Sequence, residues 1–180
     1  MDTDQDLTHA RDLALQKIGR NLVNLQKLEG MLKHLLASNH LEGHPSSLVE
    51  KATRRAEKVS KMTMGQVIHE LATSLFDNCE ISQGRLELSS EPWITSKFTI
   101  EGGADAAQQW KLEMTKILEA RNKLVHQMLV GFDPQSIESC KSLSVALDAQ
   151  REQLIPVYEH IRSLIVARKE ALEEQSTTLG

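Results

Sequence analysis

Arg121 and His126 stand five positions apart in the stretch Arg121-Asn122-Lys123-Leu124-Val125-His126, inside a segment that otherwise reads as a core helix. A guanidinium grips a phosphate or carboxylate through two parallel N–H bonds, and an imidazole near neutrality can accept or donate a proton. Together they can hold an anion and move a proton on it. Counting ~100° per residue from Trp110, one apolar arc collects Trp110, Met114, Ile117, Leu118, Leu124, Val125, Met128 and Leu129. Arg121 falls near the middle of that arc, with Asn122 and His126 one turn apart on its flank. A guanidinium in an apolar seam costs several kcal/mol unless it is paired, wetted or meets an anion. The seam is therefore expected to hold a counter-charge, a wet cleft or a subunit interface. On residue pattern alone, structure and site are equal readings of the hexapeptide.

Other chemistry-bearing residues are less organised. Among seven histidines, His40 and His44 alone have i, i+4 spacing, and they fall where a helix should be ending before Pro45, so a solvated loop is the reading there. His69-Glu70 begins like a zincin motif, but Thr73 stands where the second histidine belongs. His9, His34 and His160 are isolated, and no metal or cofactor is expected. No GxSxG elbow, P-loop or GxGxxG occurs, which sets aside P-loop nucleotide hydrolysis and hydrolase-type serine chemistry. Lys51, Arg54, Arg55, Lys58 and Lys61 form a basic run that reads either as a phosphate-binding surface or as a solvated face interleaved with Glu50 and Glu57.

The elements that must position these residues are mostly helices. Leu7, Ala14, Ile18, Leu22, Leu25, Leu28, Leu32 and Leu35 recur at three, four or seven positions and predict a long amphipathic helix from about Leu7 to Ser38, ending near Asn39 to Pro45. Ser47 and Glu50 have capping-box spacing and predict a second helix after Ser47, with Leu48, Ala52, Ala56 and Val59 on one face and the basic run on the other. Thr63 and Gln66 repeat that spacing and open a third helix through Phe76, stopping around Asp77-Asn78. From Cys79 to Gly103 the period changes to two in Arg85–Leu88 and Trp93–Ile100, separated by Ser89-Ser90-Glu91-Pro92, which predicts a small β-hairpin or loop insertion. A fourth helix, roughly Ala104 to Val130, carries the hexapeptide and stops at Gly131. Asp133 is the expected cap of a last helix with Pro134 at its first position, running to about Glu174 with a kink at Pro156 and a frayed tail over 175–180.

The expected fold is thus all-α: an antiparallel up-and-down bundle of four to five helices forming a single domain over residues 1–180. Aromatics at 3% favour helices over a β-rich fold, and a net charge of −4 means that any polyanion must be held by a local basic patch. Cys79 and Cys140 lie in unrelated contexts, as free thiols in a reducing compartment would. The acidic start of the chain has no apolar signal-like stretch, and no run nears the ~20 apolar residues of a membrane span. A cytoplasmic protein with no membrane partner is expected.

The hexapeptide, late in a helical chain, resembles the motif of the HEPN family, in which Arg, often followed by a polar residue such as Asn, is separated by four to six residues from His. Here four residues intervene. The HEPN fold is a four- to five-helix up-and-down bundle with this motif on its penultimate long helix. The resemblance implies a metal-independent endoribonuclease acting as a homodimer, each protomer contributing Arg121 and His126 to a shared cleft. Asn122 would orient the imidazole or contact the phosphate. RNA would be the substrate, its 2′-hydroxyl the nucleophile, and the products a 2′,3′-cyclic phosphate and a 5′-hydroxyl. It further implies a toxin or defence effector with an antitoxin protein as partner. One departure is Met128, which stands where some HEPN toxins carry a tyrosine modified by a partner nucleotidyltransferase. Two readings from other classes stay open. One is a non-catalytic HEPN-like interaction or ligand-binding module, in which Arg121 holds a salt bridge and His126 is packed; the other is a plain structural bundle.

Overall fold

The computed structural model describes residues 2–76 and 92–178. Among them the chain is all-α with one two-stranded sheet, in the order α1 Asp2–Ser38, β1 His40–Gly43, α2 Pro45–Ser60, α3 Met64–Leu75, β2 Ile94–Lys97, α4 Gly103–Lys123 and α5 Ile137–Thr178. A π-helical turn, Leu124–Met128, continues α4. No helix among the described residues is long and apolar enough to cross a membrane. The chain groups into two units, Met1–Glu29 with Lys116–Ser163, and Gly30–Thr115 with Leu164–Gly180.

In the first unit, α1 and α5 lie side by side and parallel. Lys17 reaches Ser144 and Asp148, and Asn21 reaches Leu147 and Gln150, at nearly constant sequence separations of 126 to 131. A constant separation along two contacting helices means the same direction, as the first and fifth helices of an up-and-down order must have. Ala10, Ala14 and Cys140 form a small buried cluster with Phe132 packed against it, the short side chains letting the helices approach closely. Further along, Leu25 and Leu28 of α1, Ile117 and Leu124, and Leu143, Leu147, Leu154 and Ile161 of α5 are buried. Each such side chain contributes about 1.5–3 kcal/mol.

The start of α5 differs from expectation. It begins at Ile137, and Asp133 with Pro134 forms a turn before it, in which Asp133 Oδ1 accepts from the Gln135 N–H at 2.9 Å. Ser136 is the residue whose hydroxyl accepts from a first-turn amide, that of Ser139 at 3.2 Å. An Asx turn and a serine cap compete for the same residues, and here both form in succession. Helix α5 continues through Pro156, which cannot donate to the Glu152 carbonyl, and extends past Glu174 to Thr178.

In the second unit, α3 opens on the expected capping box: Thr63 Oγ1 accepts from Gln66 N, and Gln66 Oε1 accepts from Thr63 N at 2.8 Å. Its apolar face, Met64, Val67, Ile68, Leu71, Ala72 and Leu75, is buried, as are Leu32, Leu35 and Leu36 of α1, Val59, Trp110 and Met114. Two arginines satisfy the carbonyl end of α1. Arg55 donates from Nε and Nη2 to the Leu36 oxygen at 3.2 and 3.0 Å, and Arg168 donates to the Ser38 oxygen. Cations suit a helix C-terminus because its last carbonyls carry partial negative charge. Burial lowers the Arg168 pKa from its ordinary value.

The expected small β element is present, joined by a strand from earlier in the chain. The strand within 93–100 forms as Ile94–Lys97 and, among the described residues, pairs antiparallel with His40–Gly43, with His40 opposite Lys97 and Gly43 opposite Ile94. Arg85–Leu88, the anticipated partner, and the turn at Ser89-Ser90-Glu91 lie outside the described residues, as do Asp77-Asn78 and Cys79. His40 and His44, read as a solvated loop, instead occupy β1 and the N-cap position of α2. That helix starts at Pro45, two residues before Ser47, since proline suits the first helical turn; the Ser47 hydroxyl turns back to the His44 oxygen at 3.0 Å. After β2, Phe98 N–H donates to the Asn39 oxygen at 3.0 Å and Ile100 N–H to the Leu75 oxygen at 2.7 Å. Gly102 and Gly103, at φ +153° and +63°, then turn the chain into α4; a Cβ on Gly102 would lie 2.5 Å from that of Ala106.

Candidate functional site

The hexapeptide straddles a change of helix type. Helix α4 is regular to Lys123, and the next turn is π: the Leu129 N–H donates to the Leu124 oxygen at 3.1 Å, one residue further than an α-helical bond. One extra residue in a turn rotates everything beyond it by about 100° relative to a regular helix. The projection from Trp110 holds for Met114, Ile117 and Leu124, places Arg121 deeper than it lies, and fails beyond Leu124. Trp110, Met114, Ile117 and Leu124 are buried as expected, while Val125, Met128 and Leu129 are half-buried. Gly131 follows the turn without a left-handed conformation, its N–H donating to the Gln127 oxygen at 3.0 Å.

Arg121 is half-buried and escapes the cost expected of a guanidinium deep in an apolar seam. Its Nη1 donates to Asn122 Oδ1 at 3.2 Å. Met114 and Ile117, from the apolar arc that could rim a subunit interface, are 0% and 3% exposed within their own chain. They belong to its core and cannot form that rim.

On the other side of the helix a shallow depression of about 590 Å³ opens to solvent. Lys116, Glu119, Ala120, Asn122, Lys123, His126 and Gln127 line it from α4 and the π turn, and Gln153 from α5. The spacing 116, 119, 120, 123 is one ordinary helix face. His126 and Gln127, three or four residues on from Asn122 and Lys123, continue it. The structure thus brings Asn122 and His126 together beside two ammonium groups, one carboxylate and two further carboxamides, and leaves Arg121 outside the lining. An exposed imidazole there can exchange protons with a bound ligand, and Lys116 and Lys123 favour an anionic one.

What fixes α5 against this helix is a polar relay absent from the expectations above. Asn21, fully buried, donates from Nδ2 to the Leu147 oxygen at 2.7 Å and to Gln150 Oε1 at 3.0 Å. Gln150 then donates from Nε2 to the Ala120 oxygen at 2.8 Å, directly before Arg121 and at the edge of the depression. Arg20 Nε donates to Asn21 Oδ1 at 3.2 Å and so completes the carboxamide's bonds. A signal existed: Ala14, Ile18, Asn21, Leu25, Leu28, Leu32 and Leu35 alternate four and three apart, so Asn21 occupies a core position of a heptad. A polar residue there implies a buried partner.

The five expected phosphate-binding residues divide. Arg55 is half-buried and committed to the Leu36 carbonyl. Arg54 pairs with Glu50 at 2.5 Å on the surface. Lys51 donates to the Glu42 oxygen at 3.1 Å and lies 5.1 Å from the centroid of Trp93. Lys58 in the last turn of α2 and Lys61 at its C-cap are exposed. All five therefore sit on or next to one helix, but they do not form five equivalent cations.

Among the described residues, no three His, Cys, Asp or Glu side chains gather at metal-binding spacing. No protein-family model, no curated protein and no solved structure matches the chain, so the HEPN resemblance rests on the hexapeptide and the order of the helices.

Proposed function

We propose that the chain is a metal-independent endoribonuclease of HEPN type, acting as a homodimer with His126 as its proton-transfer group. The observation that carries this reading is the exposure of His126 on a π turn, in one depression with Asn122, Lys116 and Lys123. RNA brings its own nucleophile. One imidazole takes the 2′-hydroxyl proton as the 2′-oxygen bonds to phosphorus. The bond to the 5′-oxygen breaks, and that oxygen receives a proton from the second protomer's imidazole. A 2′,3′-cyclic phosphate and a 5′-hydroxyl result. General acid–base catalysis of this kind contributes typically 10²–10⁴-fold. Arg121 faces away from its own depression in this proposal and stabilises charge on the phosphate held by the other protomer. A cytoplasmic toxin or defence effector, restrained by an antitoxin protein over this face, is the setting such chemistry fits.

A second reading, a non-catalytic ligand-binding module, is favoured by the Glu119 carboxylate in the depression and by the Arg121 guanidinium resting on its own Asn122. The test incubates purified protein with single-stranded and structured RNA in the presence of a chelator, analyses the RNA ends, and measures mass by light scattering. Cyclic-phosphate ends from a dimer support the nuclease. No cyclic-phosphate product from any substrate rejects it in favour of the binding module.

A further inference from the structure

Trp93 lies where a chain with few aromatics has little reason to expose one. It is 44% exposed, whereas the other tryptophan, Trp110, is 4% exposed. Two cationic or titratable side chains hold it in place. The Lys51 ammonium lies 5.1 Å from its ring centroid and donates to the Glu42 oxygen at 3.1 Å, and the His44 ring meets it edge to face at 5.0 Å between centroids and 87° between planes. An ammonium has three donors. The Glu42 carbonyl uses one, and a phosphate can take another. Along the same helix follow Arg54 and Lys58, both exposed; residues 44–61 carry five lysines and arginines against two glutamates in a chain whose net charge is −4.

We infer that Trp93, Lys51 and the exposed cations of α2 form a binding site for single-stranded RNA, in which Trp93 stacks a base and Lys51 and Arg54 meet the flanking phosphates. The inference rests on the ribonuclease reading only for its choice of RNA as the polyanion. An indole fixed by its neighbours loses little freedom on stacking, and stacking tolerates any base because every base has a π face. The cations add the salt-dependent part of the affinity. A peptide or a lipid surface gains less from this arrangement, since neither offers flat rings and regularly spaced phosphates together.

The test uses the full chain and a 2′-O-methyl RNA 12-mer, which lacks the nucleophile for self-cleavage, so binding is read independently of catalysis. Saturable quenching of tryptophan fluorescence is expected in the wild type, because the exposed indole is the one stacked. In Trp93→Leu that quenching should vanish, and affinity by fluorescence anisotropy should fall about tenfold or more, with the salt dependence of binding kept. Trp93→Phe should retain part of the affinity and guards against a folding defect in the leucine variant. Lys51→Gln should lower the slope of log affinity against log salt by roughly 0.7. Equal affinity of wild type, Trp93→Phe and Trp93→Leu without fluorescence change overturns the site. So does a fluorescence response to phosphatidylserine vesicles but not to the 12-mer.

Discussion

Arg121 Nη1 donates to Asn122 Oδ1 at 3.2 Å, so the guanidinium is held by a carboxamide that also borders the His126 depression. Through this bond, Asn122 links Arg121 to the depression that holds His126. If the nuclease reading holds, His126→Ala should lower the rate of RNA cleavage by about 10²–10⁴-fold. Arg121→Ala should lower it about 10²–10³-fold, as loss of one transition-state donor does. Asn122→Ala should cost roughly tenfold, because it frees Arg121 without removing it. Single-turnover cleavage of one labelled RNA by the three variants, with circular dichroism as a folding control, checks the ranking.

The Asn21–Gln150 pair should be energetically coupled. Asn21→Ala strips the Leu147 oxygen and Gln150 Oε1 of a donor inside the core, at a cost of about 1–3 kcal/mol. Gln150→Ala removes the donor to Ala120. Urea unfolding of both single variants and the double should show a coupling of about 0.5–3 kcal/mol, and strict additivity would mean that the relay does not act as a unit.

Asp148 should govern part of the acid limb of stability. The Lys17 hydrogen bond at 2.5 Å first, then that of Arg20 at 3.0 Å, holds its carboxyl below the usual carboxylate range. A carboxyl with a depressed folded pKa stabilises the fold above its unfolded value, about 3.9, and that contribution is lost as pH falls through the folded value. Asp148→Asn should therefore flatten the decline of the urea midpoint below about pH 4. Because Asp148 is half-exposed, the difference should shrink in high salt.

The two adjacent arginines of α2 should behave differently. Arg55→Ala deletes both bonds to the Leu36 carbonyl and should destabilise the fold by about 1–2 kcal/mol. Arg54→Ala removes a surface pair with Glu50 and should change stability by under about 0.5 kcal/mol. Thermal melts of the two separate a structural cation from a surface one.

Spacing in the sequence determined the helices, the capping box at Thr63 and Gln66, and the candidate status of Arg121, Asn122 and His126, because period and cap chemistry are local. It also determined the buried face of α3, where residues three and four apart share a side whatever lies opposite. Tertiary structure decided the rest. Residues 40–43 are too few to show a strand by alternation, and β1 exists because Ile94–Lys97, far along the chain, supplies its hydrogen bonds. Asn21 stood visibly on the heptad stripe of α1, but that it grips Gln150, and Gln150 the Ala120 carbonyl, depends on α5 lying parallel beside it. Helical periodicity assumes a constant rotation per residue. The π turn at Leu124–Met128 breaks that assumption, and beyond it Val125, Met128 and Leu129 leave the buried arc for half-buried positions.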